Sequence, residues 1–189
     1  LDVAGVILLA LDRQGRVSMV NRKGLEVLGY REEDLVGRDW FELCLPPEER
    51  SEVREIFARL MAGEVDHAAH AVNRVVVKDG SRRVVGWRNA LIRDDKGRIA
   101  GTLSSGEDIT AQRKTEEELQ QIFNMSLDLI CIADLRTTTF LKVNPAFVAV
   151  LGYSEDELLG RSFMEFVHPE DVEPTQRVVA ERLRRGEKV

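Results

Sequence analysis

The residues best suited to chemistry are few. The chain holds three histidines and two cysteines. His67 and His70 are three residues apart, with Asp66 beside them, a spacing that suits a metal when it falls on one helix. Here the trio falls between the end of a helical pattern and the start of a strand pattern, with no cysteine nearby. A solvated loop is the expected reading, and no metal site is assigned. His168 precedes a helix and reads as a cap. Cys44 and Cys131, placed in a loop and a strand, are too few for a disulfide framework and read as small core residues. Asp12, Asp94 and Asp95 are turn formers first. No nucleophile–base pair and no glycine-rich phosphate loop is present, so no catalytic residues are assigned.

Composition narrows the classes further. The 189 residues carry 27 basic and 33 acidic side chains, a net charge of −6. Hydrophobic residues are 43% and charged residues 32%, the balance of an ordinary globular domain. Nothing resembles a nucleic-acid arm or a polybasic membrane anchor. The longest apolar run, Val6 to Leu11, is far short of the ~20 residues that cross a bilayer. The chain opens Leu1-Asp2-Val3, with no initiator Met and no basic leader, and reads as a fragment of a longer protein of the cytoplasm.

The elements that would position a site emerge from an internal repeat. At an offset of 123 residues, Val20 to Glu64 matches the second half of the chain without a gap. Val20-Asn21 answers Val143-Asn144, and Val27-Leu28-Gly29-Tyr30 answers Val150-Leu151-Gly152-Tyr153. Gly37-Arg38 answers Gly160-Arg161, and the match persists to Gly63-Glu64 and Gly186-Glu187. The expected division is a first domain over 1–107, a linker helix over 108–124 and an incomplete second domain over 125–189.

Within each copy, two strands precede a helix N-capped by Asn21 or Asn144, with Gly29 or Gly152 closing it in the left-handed conformation. Ser154-Glu155-Asp156-Glu157 is a capping-box pattern. Pro46-Pro47-Glu48-Glu49 and His168-Pro169-Glu170-Asp171 are expected to open a longer helix. Val53, Ile56, Phe57, Leu60 and Met61 recur at helical spacing and predict one buried stripe on it. Strand patterns then take over. Asp79-Gly80 is a hairpin signal, and Val85, Trp87, Asn89 and Leu91 alternate on one face of Arg82 to Arg93. Arg98 to Glu107 is the last strand. The class is α+β, an antiparallel sheet with helices on one face. Thr115, Leu119 and Ile122 form a short heptad-like seam on the linker.

The ordered set resembles a tandem pair of PAS sensory domains. It is carried by Val20-Asn21, Leu28-Gly29-Tyr30, Glu32-x-x-Leu35-x-Gly37-Arg38 and their second copies, by His168-Pro169-Glu170-Asp171, by Lys78-Asp79-Gly80-Ser81 with Trp87, and by Gly106-Glu107-Asp108-Ile109-Thr110. The resemblance implies a five-stranded sheet of order 2-1-5-4-3 with helices that can enclose a ligand. It implies a non-catalytic module upstream of an output domain, foremost a histidine kinase, in bacterial signalling proteins.

Candidate pocket residues in the first copy are Trp40, Phe41, Phe57, Leu60, Trp87, Asn89 and Leu91, because pockets are mostly apolar with a few placed polar groups. The alternative is that they only fill the core. Asp108, Ile109 and Thr110 are the candidate signal relay. Ile109, Leu119, Ile122 and Phe123 are candidates for a homodimer contact along the linker. The cofactor is left unknown, with two kinds disfavoured. Flavin-binding relatives place a cysteine just after the Asn, where Arg22-Lys23 and Pro145-Ala146 stand. Haem-binding relatives use a histidine of the long helix, and Ser51 to Ala62 and Thr175 to Arg185 have none.

Overall fold

The apolar run near the start of the chain becomes a buried strand, β1 (Ile7–Asp12), and its partner β2 (Val17–Val20) returns beside it. Between them, the Asp12 carboxylate accepts from the N–H groups of Gln14 and Arg16, both at 2.9 Å. Gly15 completes the turn at φ 78°, and a Cβ there would lie 2.2 Å from the Phe41 ring, so both backbone and space require glycine. Four helices follow: α1 (Arg22–Leu28), α2 (Glu32–Leu35), α3 (Trp40–Cys44) and α4 (Arg50–Met61). Then come β3 (His70–Val76), β4 (Arg82–Arg93) and β5 (Ile99–Asp108). The sheet order is β2-β1-β5-β4-β3, with every neighbouring pair antiparallel.

The computed structural model describes residues 5–64 and 70–185. Asp66 and His67 lie outside the described residues; His70 is exposed at the start of β3. Among the described residues no cluster of three metal-ligating side chains occurs, and no helix is long and apolar enough to cross a membrane.

The chain divides into two compact units, Leu1–Lys114 and Thr115–Val189. The division falls inside α5 (Thr110–Met125), a helix with no buried residue. Asp108 ends β5 and does not belong to the helix, a small correction to the expected linker start. The second unit holds β6 (Cys131–Asp134), β7 (Thr139–Val143), α6 (Pro145–Leu151), α7 (Glu155–Leu158) and α8 (Val172–Arg184). Its core is a small aromatic group of Phe140, Phe147, Phe163 and Phe166 around Val143 and Leu158. Its described sheet has two strands, in keeping with the expected partial copy.

Several local expectations are corrected. Pro46 and His168 do not open the long helices, which begin at Arg50 and Val172; Pro169–Asp171 forms a 3-10 turn first. Proline supplies the fixed φ of that turn, and His168 Nδ1 accepts from the Glu170 N–H at 3.4 Å. Of the apolar stripe on α4, only Leu60 is buried. Val53, Ile56 and Phe57 are half-buried because they face a cavity, and Met61 is half-buried beyond it. Cys44 lies in α3, not a loop, and is fully buried.

Cys131 is exposed, against the expectation of a core position. Leu9 pairs with Val20, and Cys131 pairs with Val143, so Cys131 occupies the place of buried Leu9 in the repeat. β1 is covered by β5 on its other edge; β6 pairs only with β7 among the described residues. Burial pushes the Cys44 thiol up to about 12. Thiolate is the reacting form. Iodoacetamide at pH 8 is therefore expected to modify Cys131 alone in the folded chain, and both cysteines in denaturant. Peptide mass mapping checks this, and rapid native labelling of Cys44 would contradict it.

Candidate functional site

A cavity of about 490 Å³ lies between α4 and the inner face of the first sheet. Its roof is the stripe of α4: Val53, Ile56, Phe57 and Leu60. Trp40 and Phe41 enter from α3, and Leu9 and Leu11 from β1. The aromatic rings hold one another. Trp40 meets Trp87 edge-on at 5.8 Å between ring centres, and Phe41 meets Phe57 at 5.3 Å.

The sheet adds a polar strip. Asn89 faces Ser104 across β4 and β5, and the Ser104 hydroxyl donates to Asn89 Oδ1 at 2.7 Å. Thr102 lies two residues along β5 on the same face. Nearby, the Trp87 indole N–H donates to Asn73 Oδ1 at 2.9 Å. Thr102 and Ser104 are 2% and 5% exposed, so their hydroxyls are removed from bulk water.

The border also includes Glu49, Glu52 and Arg74. Arg74 is held by Glu49, which accepts from its Nε at 2.5 Å and its backbone N–H at 3.1 Å. The α3–α4 corner is tied by Arg54, whose guanidinium donates to Asp39 and Glu42 at 2.9–3.0 Å. These groups are half-exposed; such pairs are worth ~0–1 kcal/mol and orient more than they stabilise.

Of the candidate pocket residues, Trp40, Phe41, Phe57, Leu60, Trp87 and Asn89 border this cavity, and Leu91 does not. Leu91 lies on the expected face, but described β3 pairing reaches only Arg88, so Leu91 stands past that edge of the pocket. Thr102 and Ser104 were not anticipated. β5 reverses the usual pattern, with Leu103 outward and two hydroxyls inward. The usable signal was the pair of small polar residues at alternate positions, but only the β4–β5 register sets one opposite Asn89.

The end of β5 meets α5 through a compact set of bonds. The Asp108 carboxylate accepts from the N–H and hydroxyl of Thr110 at 3.0 and 2.5 Å. The Thr110 hydroxyl oxygen in turn accepts from the Val84 N–H at 2.8 Å, and the Ile109 N–H donates to the Val84 carbonyl at 2.9 Å. Val84 thus holds both Ile109 and Thr110 at the start of the helix, and it also borders the cavity. On α5 itself, Leu119 and Ile122 are 63% and 66% exposed. Phe123 departs from that seam: it is half-buried under the Lys142 ammonium, 4.8 Å from the ring centre.

The PAS fold pattern matches residues 1–114, and a second PAS fold pattern matches residues 140–189. The chain is 28% identical over 184 residues to the biofilm dispersion protein BdlA of Pseudomonas aeruginosa, an overlap of 94% of this chain and 43% of that protein. It therefore spans less than half the length of this curated relative. A PAS domain from Colwellia psychrerythraea is similar at a TM-score of 0.51 and 19% identity, over 58% of this chain and 91% of that one. The PAS domain of the quorum-sensing receptor RpfR from Cronobacter turicensis gives a TM-score of 0.49 and 24% identity, over 58% and 99%. With more than half of its residues under one family pattern and its sheet strung 2-1-5-4-3, this chain belongs to the PAS family of generally non-catalytic sensory domains, one copy with its five-stranded sheet and the other partial.

Proposed function

We propose that the first copy, residues 1–107, senses a small ligand in its cavity and relays occupancy through the connector 108–124 toward the second copy, 125–189, and an output domain of a cytoplasmic signalling protein, foremost a histidine kinase. The observation that carries this reading is Val84. It borders the cavity and bonds Ile109 and Thr110, so a shift of β4 around a ligand must move the start of α5. Asp108 fixes the rotamer of Thr110 and so the exit angle of the helix.

Native mass spectrometry of the chain purified under mild conditions tests the ligand part: a bound mass released on denaturation supports it, and only the bare chain mass counts against it. Thr110→Val tests the relay. It removes the acceptor of the Val84 N–H, at a cost of about 1 kcal/mol. Hydrogen exchange at Val84 is expected to rise about fivefold, since 1.4 kcal/mol is a factor of ten. In the full-length protein this variant should bind ligand as before while the output no longer responds. An unchanged response would refute the route.

A second reading, a dimerising spacer, is favoured by the exposed Leu119 and Ile122 on one side of α5. Two short helices could pair along that seam. Sedimentation at several concentrations decides it, with a ligand-independent dimer broken by Leu119→Glu as its signature.

A further inference from the structure

The charge and hydrogen-bonding groups around the cavity restrict its occupant. Among the described residues, the basic side chain on its border is Arg74, and it is already paired with Glu49, with Glu48 3.6 Å away. The remaining charged groups there are carboxylates, Glu49 and Glu52. An anionic ligand would therefore lose its water without meeting a free counter-ion, and a buried unpaired charge is strongly disfavoured. Among the described residues, the uncharged polar groups lining it are the hydroxyls of Thr102 and Ser104 and the amides of Asn89 and Asn73, the last already accepting from the Trp87 indole N–H. They stand on the sheet, opposite the apolar roof of α4. Around them, Trp40, Phe41, Phe57 and Trp87 offer aromatic surface.

Resting on the reading of this cavity as a ligand site, we infer that its occupant is an uncharged amphiphile, an apolar body of ring size carrying one small hydroxyl, carbonyl or amide group. The polar group meets Asn89, Ser104 and Thr102. The body lies under Val53, Ile56 and Phe57. Carboxylates and phosphates of the same shape are rejected.

Two probes with one bicyclic body separate the cases: 2-naphthol, neutral at pH 7, and 2-naphthoate, an anion. Each is titrated into the nitrogen-15-labelled chain while the amide signals of Asn89 and Ser104 are followed. Binding of 2-naphthol at least ~10-fold tighter than 2-naphthoate is expected, because a site built of neutral donors and acceptors discriminates by what is left unpaired. Ser104→Ala, and Thr102→Val as a second variant, should weaken 2-naphthol severalfold with the spectrum otherwise retained. Equal or tighter binding of 2-naphthoate overturns the assigned class and leaves ligand sensing standing. Binding of neither probe at millimolar concentration overturns both.

Discussion

Asn21→Ala is expected to destabilise the first unit by about 3–5 kcal/mol, read as a lowered urea midpoint at unchanged slope. The side chain is buried, and it makes three hydrogen bonds to backbone groups. Asn21 Oδ1 accepts from the N–H groups of Leu8 and Gly24, each at 2.9 Å, and Nδ2 donates to the Val6 carbonyl at 2.9 Å. Alanine leaves two donors and one acceptor without partners, each costing ~1–3 kcal/mol when kept from water. Asn21→Asp keeps the two accepted bonds but loses the donated one and introduces a charge, so it should fall between. A loss below about 1 kcal/mol for alanine would show that Asn21 is only a helix cap. Asn144 repeats only the strand-side part in the second copy, accepting from the Ile130 N–H at 3.1 Å and donating to the carbonyls of Asp128 and Ser126; against the expectation of a cap, its side chain makes no bond to the first turn of α6.

Gly106→Ala is expected to cost about 1–3 kcal/mol and to disturb the cavity at the same time. Gly106 lies opposite Trp87, and a Cβ there would stand 2.6 Å and 2.8 Å from the indole ring and 3.0 Å from Val85. The ring cannot easily yield, because its N–H is bonded to Asn73 and it packs perpendicular to the Trp40 ring. Thermal unfolding measures the loss, and a changed tryptophan emission in the folded state reports the displaced ring. In a Trp87→Leu background the same substitution should cost clearly less, since contacting residues couple and the indole atoms are gone, leaving the tight contact with Val85. Full additivity of the two changes would place the strain elsewhere in the strand.

How much of this was legible from the residues differs by position. The turns at Asp12 and Asp94 and the left-handed glycines 29 and 152 were readable, because each depends on neighbours within a few residues. Asn21 was readable as a cap, but its grip on Val6 and Leu8 was not: those bonds join residues 13 and 15 apart and exist only once β1 lies beside the start of α1. Trp87 and Asn89 were placed on the inner face by simple alternation. Thr102 and Ser104 were missed because the same rule, applied to β5, would turn Leu103 inward.

The amino-acid order alone determined the repeat, the α+β class and the family resemblance, since each is written in spacing along the chain. Only the tertiary structure decided that the α4 stripe faces a hollow instead of a solid core, that Leu91 stands past the pocket edge, and that Cys131 is exposed where Leu9 is covered. The physical reason is common to all three. Whether a side chain is packed, lines a void or meets water depends on which strand or helix lies across from it, and those partners come from segments tens of residues away.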